Sequence, residues 1–215
     1  MRSERAHSFD LGLTHRFSAE FSGTVDSYLK LARDQLDEGQ FGQALIFAPF
    51  NYHTGRVAGL ELSGSYARGA FGAYANFAVS RATGRQIVSG QYQFGQDELD
   101  TIATHDVHLD HDQTCTASLG ASYHWGRWQT YADLLYGSGL RRGFANTGKL
   151  PAYAPANLGL IRKFRPRPHR ELTLRLDLVN VFDAVYELRD GSGIGVGAPQ
   201  YGTRRGVFSG LSWSY

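Results

Sequence analysis

The sequence is poor in the residues that mark several common protein classes. Among its 215 residues there is one cysteine, Cys115, which excludes an intramolecular disulfide and a paired-cysteine metal motif. There is no run of about 18 apolar residues, which excludes a membrane-spanning helix. The formal net charge is only +2, so the composition gives no sign of a nucleic-acid partner. We expect no nucleic-acid partner and no cofactor.

Glycine and aromatic residues are plentiful, while proline is scarce. The chain has 26 glycines and 6 prolines, and 13% of it is Phe, Trp or Tyr. This mixture is typical of an all-β protein with many strands and belts of aromatic residues. The mean hydropathy of −0.34 is compatible with membrane strands, because such a strand needs only about ten residues with one apolar face.

Nine segments alternate between apolar and polar residues with a period of two. In the first segment Phe9, Leu11 and Leu13 alternate with Asp10 and smaller residues. A strand places successive side chains on opposite faces, so each segment is predicted to form a strand with one apolar face. The predicted strands are 8–17, 21–31, 57–67, 71–80, 113–125, 128–136, 154–164, 172–179 and 207–215.

The connections between these segments alternate in length. Short turns are predicted at 18–20, 68–70, 126–127 and 165–171, and long loops lie between the other strands. This asymmetry is typical of a transmembrane β-barrel, with short periplasmic turns and long extracellular loops. The predicted fold is therefore an antiparallel, meandering sheet of about nine strands. Because a closed bacterial single-chain barrel has an even number of strands, we expect an incomplete barrel.

Charged side chains fall on the polar face of the predicted strands. A lysine or arginine that faces lipid at mid-membrane costs about 2–4 kcal/mol, so a bilayer would impose this distribution. Arg162 lies on the apolar face but close to a turn, where its side chain can reach the interface. Trp125, Trp128, Phe164 and Trp213 are predicted to form an aromatic belt at the short-turn end. The residues on the polar face are Asp10, Asp26, Lys30, Glu61, Asp133, Arg175 and Asp177.

The last residues form a strand that ends on an aromatic side chain. Val207, Leu211, Trp213 and Tyr215 lie on one face, with Ser209 between them. Chain ends usually fray, whereas the last strand of a barrel must pair to close the wall. We therefore expect these residues to form a barrel-terminal insertion strand.

An ordered series of motifs precedes that strand. It comprises Asn-x-Phe-Asp-x-x-Tyr at 180–186 and Pro-Gln-Tyr-Gly-Thr-Arg-Arg at 199–205. The series resembles the carboxyl-terminal barrel of TonB-dependent outer-membrane receptors, the siderophore and cobalamin receptor family, and weaker similarity extends over most of the chain. The motif residues are interpreted as structural, shaping the exit of the preceding strand into its loop. They are Asn180, Phe182, Asp183, Tyr186, Gly202 and Arg204.

The resemblance implies energised uptake of a scarce nutrient, such as an iron–siderophore complex. A whole receptor of this family has a signal peptide, a TonB-box, a plug and a 22-stranded barrel. Residues 1–10 lack the apolar segment of a signal peptide, so we expect residues 1–215 to be the carboxyl-terminal portion of such a barrel, without the plug and the first strands. This portion alone is not expected to transport. The implied location is the outer membrane, and the implied partners are its lipid and lipopolysaccharide, the barrel assembly machinery, TonB through the missing amino-terminal part, and a small-molecule metal chelate.

The long loops contain the residues predicted to face a ligand. Aromatic side chains there are able to line a siderophore site, and Arg141 and Arg142 are able to attract an anionic ligand or lipopolysaccharide phosphates. Ordinary loop packing is the alternative for each of them. The aromatic candidates are Phe41, Phe47, Tyr92 and Phe94.

His105, His108 and His111 stand close together among aspartates, a pattern that is able to bind a divalent metal. A solvated loop is the preferred interpretation. An outer-membrane hydrolase is a second alternative function, but no Gly-x-Ser-x-Gly motif occurs and we expect no enzyme activity. A small, self-contained outer-membrane barrel without transport also stays open. The sequence does not identify the substrate.

Overall fold

The chain forms one large antiparallel sheet, which a computed structural model describes for residues 1–40, 46–167, 170–195 and 197–214. Nine long strands follow one another in chain order across the sheet, and β1 and β14 form its two edges. Within the described residues these edges have no further partner strand, so the sheet is not closed. The nine strands are β1 (Arg5–Arg16), β2 (Phe21–Gln40), β3 (Phe47–Arg68), β4 (Phe71–Ser89), β6 (Cys115–Trp125), β7 (Trp128–Gly137), β10 (Ala156–Arg167), β11 (Arg170–Val179) and β14 (Gly206–Ser214).

Short elements occupy the long connections at one end of the sheet. Helix α1 spans Gln96–Thr104, and single turns of 3₁₀ helix lie at Gln91–Gln93 and Phe144–Asn146. None of the helices in the described ranges has the length and apolar character needed to cross a membrane. The short strands are β5 (Val107–His108), β8 (Arg141–Arg142), β9 (Gly148–Lys149), β12 (Glu187–Asp190) and β13 (Pro199–Tyr201).

The strand register places the apolar residues of successive strands side by side. Val25 lies opposite Leu62, and Leu62 lies opposite Phe77. At the other edge, Leu174 lies opposite Leu211. Because directly paired residues point to the same face, one face of the sheet is apolar from edge to edge. The predicted fold class, an incomplete antiparallel barrel of about nine meandering strands, is confirmed, and we call this side of the sheet the apolar face.

The opposite side, the polar face, carries acidic residues and tyrosines. Asp26 lies directly opposite Glu61. Tyrosine rings on this face cover glycines of the next strand; the ring of Tyr131, for example, occupies the space that a Cβ at Gly159 would need. An aromatic ring over a cross-strand glycine fills the gap that the missing side chain leaves. The same arrangement joins Tyr28 to Gly59 and Tyr74 to Gly120.

Strands β2, β3 and β4 are much longer than the alternation predicted. The predicted loop 32–56 is largely a β2–β3 hairpin, and the first part of the predicted loop 81–112 continues β4 to Ser89. Asp34 and Gln86 adopt left-handed backbone conformations, with φ of 52° and 59°. His53 lies between them in the register. These three residues form a row across the strands. Beyond this row the buried residues of β2 are the odd-numbered Gln35 and Asp37, whereas before it the even-numbered Ala32 is buried. The period-two pattern is therefore interrupted although the strands continue.

The short connections gather at the opposite end of the sheet, as predicted. Residues 18–20, 69–70 and 126–127 link neighbouring strands, whereas the predicted turn 165–171 is shorter because β10 continues to Arg167. Trp125 and Trp128 are stacked there, with ring centroids 6.5 Å apart. The guanidinium of Arg162 lies between two aromatic rings, 4.4 Å from the centroid of Trp128 and 4.6 Å from that of Phe164. These cation–π contacts accommodate a charge on the apolar face.

Candidate functional site

The connections at the long-loop end pack into a compact unit, here called the cap, against the polar face. Its apolar core contains Phe50 and Tyr52 from β3, Ile87 from β4 and Ile102 from α1. Phe50 and Ile102 have no exposed surface. The cap places polar groups and a small number of aromatic rings above the polar face of the sheet.

Asp112 anchors this cap through three neighbours. One carboxylate oxygen accepts a hydrogen bond from the Ala82 backbone N–H at 2.7 Å. The other lies 2.7 Å from Nδ1 of His108 and accepts a hydrogen bond from Nε of Arg141 at 3.0 Å. Burial, together with the adjacent Arg141 cation, lowers the pKa of His108, although Asp112 opposes this shift. The buried carboxylate is therefore balanced by Arg141.

The loop that follows β11 is fastened to the same cap. Arg189 donates to the buried Asp110, with a closest N–O distance of 2.6 Å. The side chain of Asn146 accepts from the Ile194 N–H at 3.0 Å and donates to the His108 carbonyl at 3.0 Å. Two connections that are distant in sequence are thereby joined, and the cap is held as one structure.

The three histidines that were considered as metal ligands have separate environments. His105 ends α1, where Nδ1 lies 2.9 Å from the Thr104 hydroxyl. His108 contacts Asp112, and His111 is exposed. In the described part of the chain, no group of three or more His, Cys, Asp or Glu side chains is arranged to hold a metal ion.

The residues predicted to face a ligand divide into two groups. Tyr92 is 71% exposed and Phe47 is 52% exposed, which leaves both rings accessible at the long-loop end. Phe94 instead packs edge-on against Phe50, with centroids 5.0 Å apart. Phe47 lies in β3 rather than in a loop. Phe41 lies outside the described residues.

The two predicted arginines also differ. Arg141 donates to Asp112 and to the Thr114 hydroxyl, and only 11% of its side chain is exposed. Arg142 is 49% exposed and lies 3.7 Å from Asp190. Arg142 is therefore much more accessible to an anion, while Arg141 contributes to the packing of the cap.

Sequence reasoning missed a group of buried polar atoms beside this core. Among the described residues, Oε1 of Gln35, Oδ2 of Asp37, the Tyr52 hydroxyl and both side-chain polar atoms of Gln93 have no hydrogen-bond partner. Burial raises the pKa of Asp37 to about 6. Burial also raises the pKa of Tyr52. Such groups are costly to leave unpaired, so they favour an additional polar contact. No signal marked them, because they lie where the alternation breaks down.

The motif residues at 180–204 meet in one compact turn after β11. Asn180 is buried, has φ of 48° and donates from Nδ2 to the carbonyls of Ala184 and Thr203 at 2.8 and 2.9 Å. Asp183 accepts from Arg204, while Phe182 is 78% exposed.

Tyr186 belongs to the same turn. It stacks on Tyr153 with ring centroids 4.6 Å apart, and Gly202 provides the space for its ring. These contacts join the segment that follows β11 to the residues that precede β14.

The predicted terminal strand forms one edge of the sheet. Val207, Leu211 and Trp213 lie on the apolar face opposite Leu178, Leu174 and Leu172. Val207 and Leu211 are 68% and 70% exposed. Tyr215 lies outside the described residues. The exposed edge and its apolar side chains are the features that a neighbouring strand and lipid would cover.

An open antiparallel sheet with one apolar face, one polar face and a packed cap over the polar side has the architecture of a β-barrel segment. The family model "TonB dependent receptor-like, beta-barrel" matches residues 1–181. The chain therefore belongs to the TonB-dependent receptor-like β-barrel family, and the resemblance seen in the sequence is confirmed. The motif after residue 181 lies beyond the matched range. No curated protein matches the chain.

Solved structures of transporters have the same fold. Copper transporter OprC has 18% identity and a TM-score of 0.67, covering 99% of this chain and 32% of its own. The FrpB iron transporter from Neisseria meningitidis (F3-3 variant) has 15% identity and a TM-score of 0.68, covering 100% and 31%. The ferric citrate transporter FecA has 19% identity and a TM-score of 0.67, covering 97% and 30%. The chain thus spans about a third of the length of these structures. The family and these neighbours are receptors and transporters, which disfavours the hydrolase alternative.

Proposed function

We propose that the chain is the carboxyl-terminal portion of the barrel of an outer-membrane receptor that takes up a metal chelate, such as an iron–siderophore complex, with energy supplied through TonB. The observation that supports this most strongly is the nine-stranded sheet with two unpaired edges in the described residues. Barrels of plugged outer-membrane transporters have 22 strands, so nine strands provide roughly two-fifths of the wall.

The remaining strands and the plug must come from outside these residues. A bare sheet edge in lipid leaves backbone groups unpaired, and each such group costs several kcal/mol. We therefore infer that residues 1–215 alone do not transport. The outer-membrane location brings lipid, lipopolysaccharide and the barrel assembly machinery as partners, and TonB would act through the part that precedes this sheet.

The cap supplies the ligand-facing surface in this proposal. Tyr92 and Phe47 present exposed rings at the long-loop end, and Arg142 presents an accessible cation. Aromatic rings and a cation suit an anionic chelate with apolar parts. The names of similar structures, which are iron and copper transporters, point to the same class of cargo.

The experiment compares two proteins in a strain that lacks its own receptors for the same chelates. One is residues 1–215 behind a signal peptide, and the other is the same chain joined to a family plug and the preceding strands. Uptake of radioactive iron supplied as ferric citrate and as a ferric catecholate is measured with and without TonB.

We expect TonB-dependent uptake of at least one chelate by the joined protein and none by the chain alone. Ion conductance of the chain alone in a planar bilayer would contradict the incomplete-barrel proposal and support a self-contained barrel. Insertion of the joined protein with no uptake of any chelate in a wider metal panel would contradict the transport proposal.

A further inference from the structure

Four arginines lie on the apolar face of the first four strands. Their parity is that of the apolar residues Phe9, Leu31 and Leu60, and all four are exposed. In the register, Arg5 lies directly opposite Arg33. Like charges in directly opposed positions are destabilising, so the arrangement needs a compensating anion. The four residues are Arg5, Arg33, Arg56 and Arg81.

The arginines lie at a common height above the short-turn end. Each arginine lies 10 to 12 positions from the short-turn end of its strand. The separation is 11 positions from Arg16 for Arg5 and 12 from Phe21 for Arg33. It is 12 positions from Arg68 for Arg56 and 10 from Phe71 for Arg81. At about 3.3 Å per residue and a tilt of about 40°, eleven residues rise about 28 Å. The apolar band of an outer-membrane barrel is about 25 Å tall, so the row lies at its outer boundary.

Three of these arginines surround an open depression of about 720 Å³. Its lining includes the small residues Gly55 and Gly84, and Asp106 is the one acidic residue in it. Within the described ranges, none of the four arginines forms an ion pair, whereas the nearby Arg2 and Lys30 pair with Asp34 and Glu4. Several carboxylates are therefore close by, yet the row is left uncompensated.

We propose that this arginine row binds the phosphate groups of lipopolysaccharide in the outer leaflet, an inference that rests on the proposed outer-membrane location. Guanidinium groups bind phosphate oxygens through paired, charge-assisted hydrogen bonds. A phosphorylated glycolipid places its phosphates at the boundary of the apolar band and its acyl chains on the apolar face below, beside Leu31 and Leu29. Free phosphate would match the charge alone, so the apolar surface below the row favours the lipid.

The test uses the joined protein described above, in which the chain follows a family plug and the preceding strands, purified in a mild detergent. Binding of lipid A with two phosphates is measured by native mass spectrometry and by titration, with dephosphorylated lipid A and inorganic phosphate as the other probes. The variant is R5Q/R33Q/R56Q. The matched control is R16Q/R68Q/R127Q, which removes the same charge at the short-turn end. A third variant, R5K/R33K/R56K, keeps the charge and tests whether the site tolerates the change of side chain.

An arginine near an anionic lipid surface contributes about 1 kcal/mol. We expect the triple glutamine variant to bind diphosphorylated lipid A about 100-fold more weakly, which corresponds to about 3 kcal/mol at 1.4 kcal/mol per tenfold change. The control should lose less than about fivefold. The lysine variant keeps the charge but not the paired hydrogen bonds, so it should lose more than the control and less than the glutamine variant. Binding should weaken as salt rises.

Equal affinity of the triple variant and the wild-type chain would overturn the inference. Equal losses in the triple variant and the control, or competition by inorganic phosphate at the concentration of the lipid, would also overturn it. Insertion is scored separately by protease protection in cells. A joined protein that never reaches the outer membrane contradicts the proposed function, whereas an inserted joined protein that binds lipid A independently of these arginines contradicts only this inference.

Discussion

Arg204 donates two hydrogen bonds to Asp183 across the turn that joins β11 to the last strand, from Nε at 2.8 Å and from a terminal nitrogen at 2.5 Å. The backbone N–H of Arg205 donates a third at 3.0 Å. Arg204 and the other donors hold the pKa of the Asp183 carboxyl well below its usual range. A paired guanidinium–carboxylate contact has a defined geometry, so it fixes the approach of the chain to β14.

Replacing Asp183 with Asn is expected to loosen this turn. The asparagine amide is uncharged and has only one acceptor oxygen, so it cannot replace the carboxylate that accepts two hydrogen bonds from Arg204. Segment 183–205 should therefore be cleaved faster by a protease added outside the cell. The stabilising effect should be present above the unfolded pKa of about 3.9 and be lost as pH falls towards the folded value. Cleavage rates of D183N and of the control D106N, an exposed aspartate, provide the measurement. Identical rates for D183N and the wild-type chain would exclude this role.

Asn180 is expected to be more sensitive than its exposed neighbour Phe182. Asn180→Ala removes the partners of the Ala184 and Thr203 carbonyls in a buried place and also loses a residue suited to positive φ, so the free energy of unfolding should fall by about 2–4 kcal/mol. Asn180→Gly keeps the backbone conformation and loses only the hydrogen bonds.

Urea unfolding of the joined protein in lipid vesicles measures both changes. The glycine variant should recover part of the loss in the alanine variant. Two unchanged unfolding midpoints would show that the turn does not depend on Asn180.

Gly159→Ala should destabilise the sheet through Tyr131. A Cβ at this position overlaps the ring, which would have to leave its place beside Asp177. The expected cost is about 1–3 kcal/mol. Gly64→Ala is a matched control, since its Cβ would lie 3.5 Å from the nearest atom, Cε2 of Phe21.

In a Tyr131→Ala background the cost of Gly159→Ala should disappear. Urea midpoints of the four proteins test this coupling. A cost that is unchanged by removal of the ring would show that the tyrosine is not the cause.

The buried Asp37 predicts a pH dependence of opposite sign to that of Asp183. Burial favours the neutral carboxyl and raises its pKa to about 6. The hydrogen bond from the Glu38 backbone N–H and the nearby His111 oppose this shift, while the charges of Asp110 and Glu38 add to it. The contribution of Asp37 to stability is therefore fully present below the unfolded pKa. As pH rises from about 4 to 6 this contribution is lost, and the free energy of unfolding falls by about 2–3 kcal/mol.

Asp37→Asn should remove this dependence and stabilise the cap at pH 8. Melting temperatures of D37N, the control D97N and the wild-type chain at pH 4.5 and pH 8 provide the measurement. A wild-type difference that persists in D37N would assign the dependence to another group.

The strands of the sheet could be predicted from the sequence because the alternation of apolar and polar residues governs most of their length. From Leu172 to Leu178 every second residue is leucine, and the register with β14 preserves that order. Beyond the row of Asp34, His53 and Gln86 the buried residues of β2 change from even-numbered to odd-numbered positions. Alternation therefore no longer indicates where the strands continue. The predicted loops there were wrong for this reason.

The cap was less predictable because its contacts join distant segments. The pairing of Arg189 with Asp110 spans 79 positions, and no local pattern specifies it. Arg141 lies in a basic pair that suggested an anion site, but its partner Asp112 is 29 positions away. In contrast, the ordered motif from Asn180 to Arg204 is local enough to be recognised, and its residues do lie together.

The central claim is that the apolar face of this sheet contacts lipid while the opposite face contacts water. Single cysteines at Thr173, Leu174, Arg175 and Leu176 would carry spin labels in outer-membrane vesicles. They are placed in the joined protein, with Cys115 and any other cysteine replaced by Ala. We predict high accessibility to oxygen at 174 and 176, and high accessibility to a water-soluble nickel chelate at 173 and 175. Nickel accessibility that is equally high at all four positions would contradict a membrane barrel strand.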